Sequence, residues 1–219
     1  MKKITLFSML AIASLISMTA QEMRESFAFT RYTSYSLLPN PLKPHLLSID
    51  TAFENDKYVL KDTRRNIVVL IDGKEITNDS QLWSQDKFSK NDQDAALEIY
   101  WAVQQVFNYF EDKFNFIPFG GEKLTITSGD GRYVHETRTI EVSQPDTASL
   151  DIITHELIHG ILIDNFGKFV GSGSVAETFC DFFGIFVEHR FKPYSRLWLI
   201  GDEARLIRNP KHPFVTSQS

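Results

Sequence analysis

Residues 149–160 read Ser-Leu-Asp-Ile-Ile-Thr-His-Glu-Leu-Ile-His-Gly, and this stretch constrains the fold more than any other part of the chain. Its apolar positions recur every three or four residues, which predicts a helix with one apolar stripe: Leu150, Ile153, Leu157, Ile158 and Ile161. His155 and His159 lie four residues apart and so about 40° apart around a helix, which lets both imidazoles reach one ion. The stretch therefore predicts a helix that packs in a core and also presents a pair of metal ligands.

The residues around this pair predict the rest of a catalytic metal site. Glu156 is turned by about 100° from His155, beside the expected ion, where a general base for a metal-bound water belongs. Two imidazoles leave a catalytic zinc one protein ligand short, and Glu177 supplies the third from the start of the next helix. Asp181 follows one turn later, placed to hydrogen-bond the second nitrogen of a ligating imidazole.

Simpler explanations of the same residues remain open from the sequence. The HExxH pattern arises by chance in many helices. Ser174 and Glu177 also form a capping box, in which the glutamate would only satisfy backbone at the helix start. Asp181 could be a solvated surface residue. The combination of a helical stripe, a glycine turn and an E-x-x-x-D pair favours zinc.

The N-terminus predicts export. Lys2 and Lys3 precede an apolar run from residue 4 to about 16, and small residues end at Ala20, as in a secretory signal peptide spanning 1–20. The run is too short to span a bilayer, so we expect no membrane anchor and a secreted or periplasmic protein. The net charge of −5 gives no basic surface for nucleic acid.

The remaining pattern predicts an α+β domain. Residues 21–145 form a strand-rich region that contains a long amphipathic helix over 92–114, and residues 146–208 form the zinc-binding helical region, ending in a disordered tail over 209–219. Within the first region, 21–55 and 77–91 read mainly as loops and short edge strands. The single cysteine, Cys180, lies on an apolar helix face and is interpreted as a buried core thiol.

Residues 149–160 and 173–184 resemble the active-site helices of the thermolysin-like zinc metallopeptidases, the second stretch being similar to the family's G-A-x-N-E-x-x-x-D-x-x-G. The resemblance implies a zincin-type α+β fold: a thermolysin-like N-terminal domain with a strand-rich part, a long helix and two active-site helices. It implies a secreted zinc metalloendopeptidase that hydrolyses peptide bonds of peptide or protein substrates, with Glu156 as the base for a zinc-activated water.

The same resemblance implies roles for individual residues. His155, His159 and Glu177 would bind Zn²⁺, Asp181 would support His155, and Arg205 would contact a substrate carbonyl. It also implies bound Ca²⁺ at three acidic positions: Asp151, Glu188 and Asp202.

The chain also departs from the family pattern. Ala176 stands where the family has Asn, and the chain ends at Ser219, where the family continues into a helical domain that forms the other wall of the cleft. These departures imply an alternative function: a truncated, catalytically impaired zinc-binding relative that acts as an exported binding or interaction protein. The apolar residues Phe182 and Phe186 would then repack or be covered by a second chain.

Overall fold

The computed structural model describes residues 22–30, 45–83, 91–129, 132–142, 149–167, 173–191 and 200. Its strands are β1 Glu22–Thr30, β2 His45–Glu54, β3 Lys57–Val59, β4 Lys61–Asp62, β5 Ile67–Ile71, β6 Lys74–Glu75, β7 Thr77–Asn78, β8 Leu82–Trp83, β9 Leu124–Ser128, β10 Tyr133–Val134 and β11 Thr139–Val142. Its α-helices are α1 Asn91–Phe114, α2 Leu150–Phe166 and α3 Ser174–Phe191. Short 3-10 turns occupy Pro118–Gly121 and His135–Thr137.

Two sheets build the N-terminal part. The first has strand order β7-β3-β2-β1-β8, with β1 and β2 paired antiparallel over their whole length and β8 parallel to β1. The second has strand order β10-β11-β9-β5-β4, and β6 also pairs with β5. Strands β5, β9 and β11 run parallel to one another, while β10 is antiparallel to β11. β10 is therefore an edge strand of the second sheet, and it is the strand that contacts α2.

Helix α1 connects the sheets to the other helices. It contacts β1 and β2 of the first sheet, β5, β9 and β11 of the second, and both α2 and α3. One continuous apolar core runs through all these elements, and its largest fully buried side chains include Trp83, Tyr100 and Phe107. Burial on this scale fixes the position of α2 against the second sheet, which is what places the two histidines.

The α+β prediction is confirmed, and so are the predicted apolar stripes. All five stripe residues of α2 are buried. In α1, the residues of the predicted apolar stripe from Ala96 to Phe110 are buried as well, whereas Phe114 is exposed. The expectation of loops and short edge strands over 21–55 is wrong, because β1 and β2 are long and satisfy each other's backbone groups as an antiparallel pair. The loop predicted over 77–91 is partly wrong: β7 and β8 lie there, and α1 begins at Asn91.

Several predicted features lie outside the described residues. These include the signal peptide over 1–20 and the tail over 209–219. At the end of the predicted helical region, where we also expect a short helix over 198–208, only Ile200 is described; it lies in a β-bridge and packs with Ile152 and Ile185. In the part of the chain that is described, no helix combines the length and the apolar character that crossing a membrane requires.

Candidate metal centre

Helices α2 and α3 bring three predicted ligands together. The Nε2 atoms of His155 and His159 lie 3.1 Å apart, one helical turn from each other on α2. Glu177, in the first turn of α3, directs its carboxylate at both rings, with Oε2 3.5 Å from Nε2 of His155 and Oε1 3.2 Å from Nε2 of His159. The carboxylate of Glu177 therefore faces the imidazoles, which the capping-box interpretation does not require.

The spacing of these atoms fits a zinc ion. Zinc bonds of about 2.0–2.1 Å at tetrahedral angles put neighbouring ligand atoms about 3.3–3.4 Å apart. The two Nε2 atoms are 3.1 Å apart, and each has one oxygen of Glu177 at 3.2 or 3.5 Å, so the separations lie close to that value. Two imidazoles and one carboxylate are also a donor set that catalytic zinc sites use, with the fourth position left open.

Asp181 orients the more buried imidazole. Its Oδ1 lies 2.8 Å from Nδ1 of His155, and the His155 side chain is only 6% exposed. Because a carboxylate only accepts hydrogen bonds, this position of Asp181 would support the tautomer with a proton on Nδ1, and Nε2 is the nitrogen on the side of His159 and Glu177. This is the carboxylate-histidine arrangement that supports a metal-binding ring.

One side of the ligand triangle meets solvent. The Glu177 side chain is 42% exposed and that of His159 is 18% exposed, whereas His155 lies against the core. The candidate ligands are therefore exposed at Glu177 and, to a lesser degree, at His159, and buried at His155.

Glu156 contacts the edge strand β10. Its Oε2 accepts a hydrogen bond from the backbone N–H of Tyr133 at 3.2 Å. The Tyr133 ring stacks on Phe119, with ring centroids 5.7 Å apart. Burial, followed by the negative charge of Asp164, raises the pKa of Tyr133 well above its ordinary value, so this phenol stays neutral. The sequence pattern had no signal for this contact, because β10 is a two-residue strand far from α2 along the chain.

Two of the acidic residues assigned to calcium are buried near one helix crossing. Asp151 is fully buried on α2, where its Oδ1 accepts from the Ser149 hydroxyl and from the N–H of Ile152 at 2.8 Å. Gly184 of α3 packs directly on the backbone of Asp151, and Glu188, 1% exposed, follows one turn later. The third, Asp202, lies outside the described residues, as does Arg205.

Cys180 is closer to the site than the sequence indicated. It is fully buried, in agreement with a core thiol. Its Sγ and one ring nitrogen each of His155 and His159 lie within 4.8 Å of one another. Helical spacing explains this position, because Cys180 is the neighbour of Asp181 on α3. The sequence did not predict that the thiol lies where it offers a soft metal ligand.

These residues lie in a chain that belongs to the thermolysin metallopeptidase family. The family model for the thermolysin metallopeptidase catalytic domain matches residues 42–163, which is more than half of the chain. The match covers β2 through most of α2, including His155, Glu156 and His159. It ends before Glu177, so the assignment of that residue depends on the measured geometry.

Two curated proteins are similar to the chain. Bacillolysin from Bacillus amyloliquefaciens is 25% identical over 193 residues, which is 74% of this chain and 34% of bacillolysin. Protease PrtS from Photorhabdus sp. (strain Az29) is 23% identical over 204 residues, which is 84% of this chain and 54% of that protease. The chain thus spans about a third and about half of the lengths of these relatives.

Proposed function

We propose that the chain is a zinc metalloendopeptidase in which His155, His159 and Glu177 hold Zn²⁺. The observation that carries the proposal is the convergence of three side chains: the two Nε2 atoms lie 3.1 Å apart, and the two oxygens of Glu177 lie 3.2 and 3.5 Å from them, which suits one ion. Family membership supports the same chemistry, and one of the two similar proteins is named a protease. Two further parts of the proposal rest on the sequence: export rests on the signal-peptide pattern over 1–20, and bound Ca²⁺ at Asp151, Glu188 and Asp202 rests on the family resemblance.

The reaction uses the residues around the open ligand position. Zn²⁺ bound there would acidify a water and polarise the substrate carbonyl. Glu156 would accept the proton of that water through its carboxylate, one oxygen of which accepts a hydrogen bond from the Tyr133 N–H. Asp181, 2.8 Å from Nδ1 of His155, would support the tautomer in which Nε2 can bind the ion. Arg205 would contact the substrate carbonyl.

The substrate class follows from this chemistry. A water activated beside a polarised carbonyl hydrolyses a peptide bond of a peptide or protein.

The test measures metal content and hydrolysis together. The purified chain is analysed for zinc per molecule and assayed for casein hydrolysis, beside Glu156→Gln, a chelator-treated sample and the control Glu122→Gln. Glutamine at 156 keeps the acceptor for the Tyr133 N–H but cannot take a proton, so it separates the base from a structural role. Glu122 is an exposed carboxylate in the segment before β9.

The proposal expects one zinc per chain and hydrolysis that the chelator and Glu156→Gln abolish but Glu122→Gln retains. Zinc at one per chain without Glu156-dependent hydrolysis would instead support the alternative, a zinc-binding relative that acts as an exported binding or interaction protein. A chain that binds no zinc would overturn both.

A further inference from the structure

One stripe of α2 faces β10 and the turn that follows it. Glu156, Gly160 and Asp164 lie at four-residue intervals, so they share a side of the helix. Each contacts the segment from Tyr133 to Arg138 in a different way: by a hydrogen bond at Glu156, by ring packing at Gly160 and by ion pairs at Asp164.

The ion pairs anchor the far end of this segment. Oδ1 of Asp164 lies 3.4 Å from Nδ1 of His135, and Oδ2 lies 3.4 Å from Nε of Arg138. The Asp164 side chain is only 15% exposed, while those of His135 and Arg138 are 26% and 37% exposed. One carboxylate thus ties both ends of the 3-10 turn to α2. Arg138 carries its charge at any ordinary pH, so the anchor does not depend on the charge of His135.

The contact at Gly160 fixes the separation between β10 and α2. A Cβ at Gly160 would lie 2.5 Å from the ring of Tyr133, so the ring sits directly on the helix backbone. The ring is also stacked on Phe119, whose own ring would lie 2.8 Å from the same Cβ. Tyr133 therefore has little room to move towards or away from α2.

The near end of the segment reaches Glu156. The backbone N–H of Tyr133 donates to Oε2 at 3.2 Å, which restrains a side chain that otherwise has three rotatable bonds.

We propose that Asp164 is a positioning residue: by anchoring the His135–Arg138 turn, it holds the Tyr133 N–H against Glu156 and so orients the base. The inference rests on the proposed function for the role of Glu156, but the contact itself can be measured without catalysis. Asp164 acts through β10 and touches neither the ligands nor the reacting atoms.

The experiment follows the Tyr133 amide by hydrogen exchange in the full chain, with and without added zinc, and measures kcat and KM beside it. Asp164→Asn keeps the shape of the side chain and removes its charge. Asp112→Asn makes the same change at an exposed site on α1 and serves as the control. Arg138→Gln breaks one ion pair from the other side and replaces Asp164→Asn if that variant does not fold.

The expected result for Asp164→Asn is an amide of Tyr133 that exchanges about threefold faster or more, as partly exposed ion pairs allow. Zinc per chain and KM should stay near the wild-type values, while kcat falls by a similar or larger factor. Asp112→Asn should match the wild type throughout. Tyr133 exchange equal in the two variants would overturn the inference, and so would faster exchange with unchanged kcat. A wild-type chain without hydrolysis would refute the proposed function, yet the exchange rates would still decide whether Asp164 anchors β10.

Discussion

Nδ1 of His155 lies 2.8 Å from Oδ1 of Asp181, on the side of the ring opposite to the Nε2 atom that faces His159. The contact joins α2 to α3 and sets the tautomer of the most buried candidate ligand. The contribution of this contact to zinc affinity can be measured directly.

Asp181→Asn should lower zinc affinity about 10–100-fold, because an amide neither fixes the His155 tautomer nor supports a bound cation as a carboxylate does. Competition with a chromogenic chelator measures the affinity. Asp79→Asn, at a side chain that is 85% exposed, is the control and should bind zinc as the wild type does. Equal affinities of the two variants would contradict the supporting role of Asp181.

Gly184→Ala should destabilise the fold by about 1–3 kcal/mol, although alanine favours helix more than glycine. The reason is contact with backbone: the new Cβ would lie 2.8 Å from the carbonyl oxygen of Asp151, which has nowhere to move inside α2. Urea unfolding measures the change. Thr178→Ala, on the exposed side of α3, should shift the midpoint by much less. Because α3 carries Glu177 and Asp181, Gly184→Ala should also weaken zinc binding. A variant as stable as the wild type would refute the close packing of Gly184 on Asp151.

Arg65→Met should cost about 3–5 kcal/mol of unfolding free energy, because it leaves the fully buried carboxylate of Asp62 without its cation. Burial by itself would lower the pKa of Arg65, but the charges and hydrogen bonds of Asp62 and Asp50 outweigh it and raise that pKa, so the guanidinium is charged throughout. Arg64 is the matched control: its side chain is 60% exposed and lies 3.8 Å from Asp50. Arg64→Met should change stability by at most about 1 kcal/mol. Similar losses in the two variants would rule out a buried network centred on Arg65.

Stability should fall above about pH 10, the ordinary pKa of tyrosine in an unfolded chain. Burial, above all, raises the pKa of Tyr133 and Tyr100 in the folded state. A raised folded pKa leaves stability complete below the unfolded value and removes it as pH rises, because the unfolded chain loses its protons first. Unfolding in urea at a series of pH values measures the slope, and Tyr133→Phe should flatten it.

The two tyrosines should differ near neutral pH. The Tyr133 hydroxyl has no hydrogen-bond partner within the described ranges, so Tyr133→Phe should leave stability unchanged or raise it. Tyr100 donates to the Asp50 carbonyl at 2.7 Å, so Tyr100→Phe should cost about 1 kcal/mol. An alkaline slope that neither substitution alters would exclude these phenols as its source.

The sequence alone predicted the local parts of this protein well. Helical periodicity placed the buried stripes of α1 and α2, and the four-residue spacing of His155 and His159 put both rings on one side of α2, because helix geometry depends only on neighbours along the chain. The resemblance also pointed to Glu177 and Asp181, whose contacts with the histidines the structure then measures.

Only the tertiary structure decided the remaining contacts, because they join residues that are distant along the chain and share no sequence pattern. The antiparallel pairing that makes β1 and β2 long strands is invisible in either strand by itself. In the same way, only the approach of the edge strand β10 to α2 places the Tyr133 N–H on Glu156, and His135 and Arg138 on Asp164. Helix periodicity placed the two histidines on one side of α2, and packing between distant segments placed the groups that contact Glu156 and Asp164.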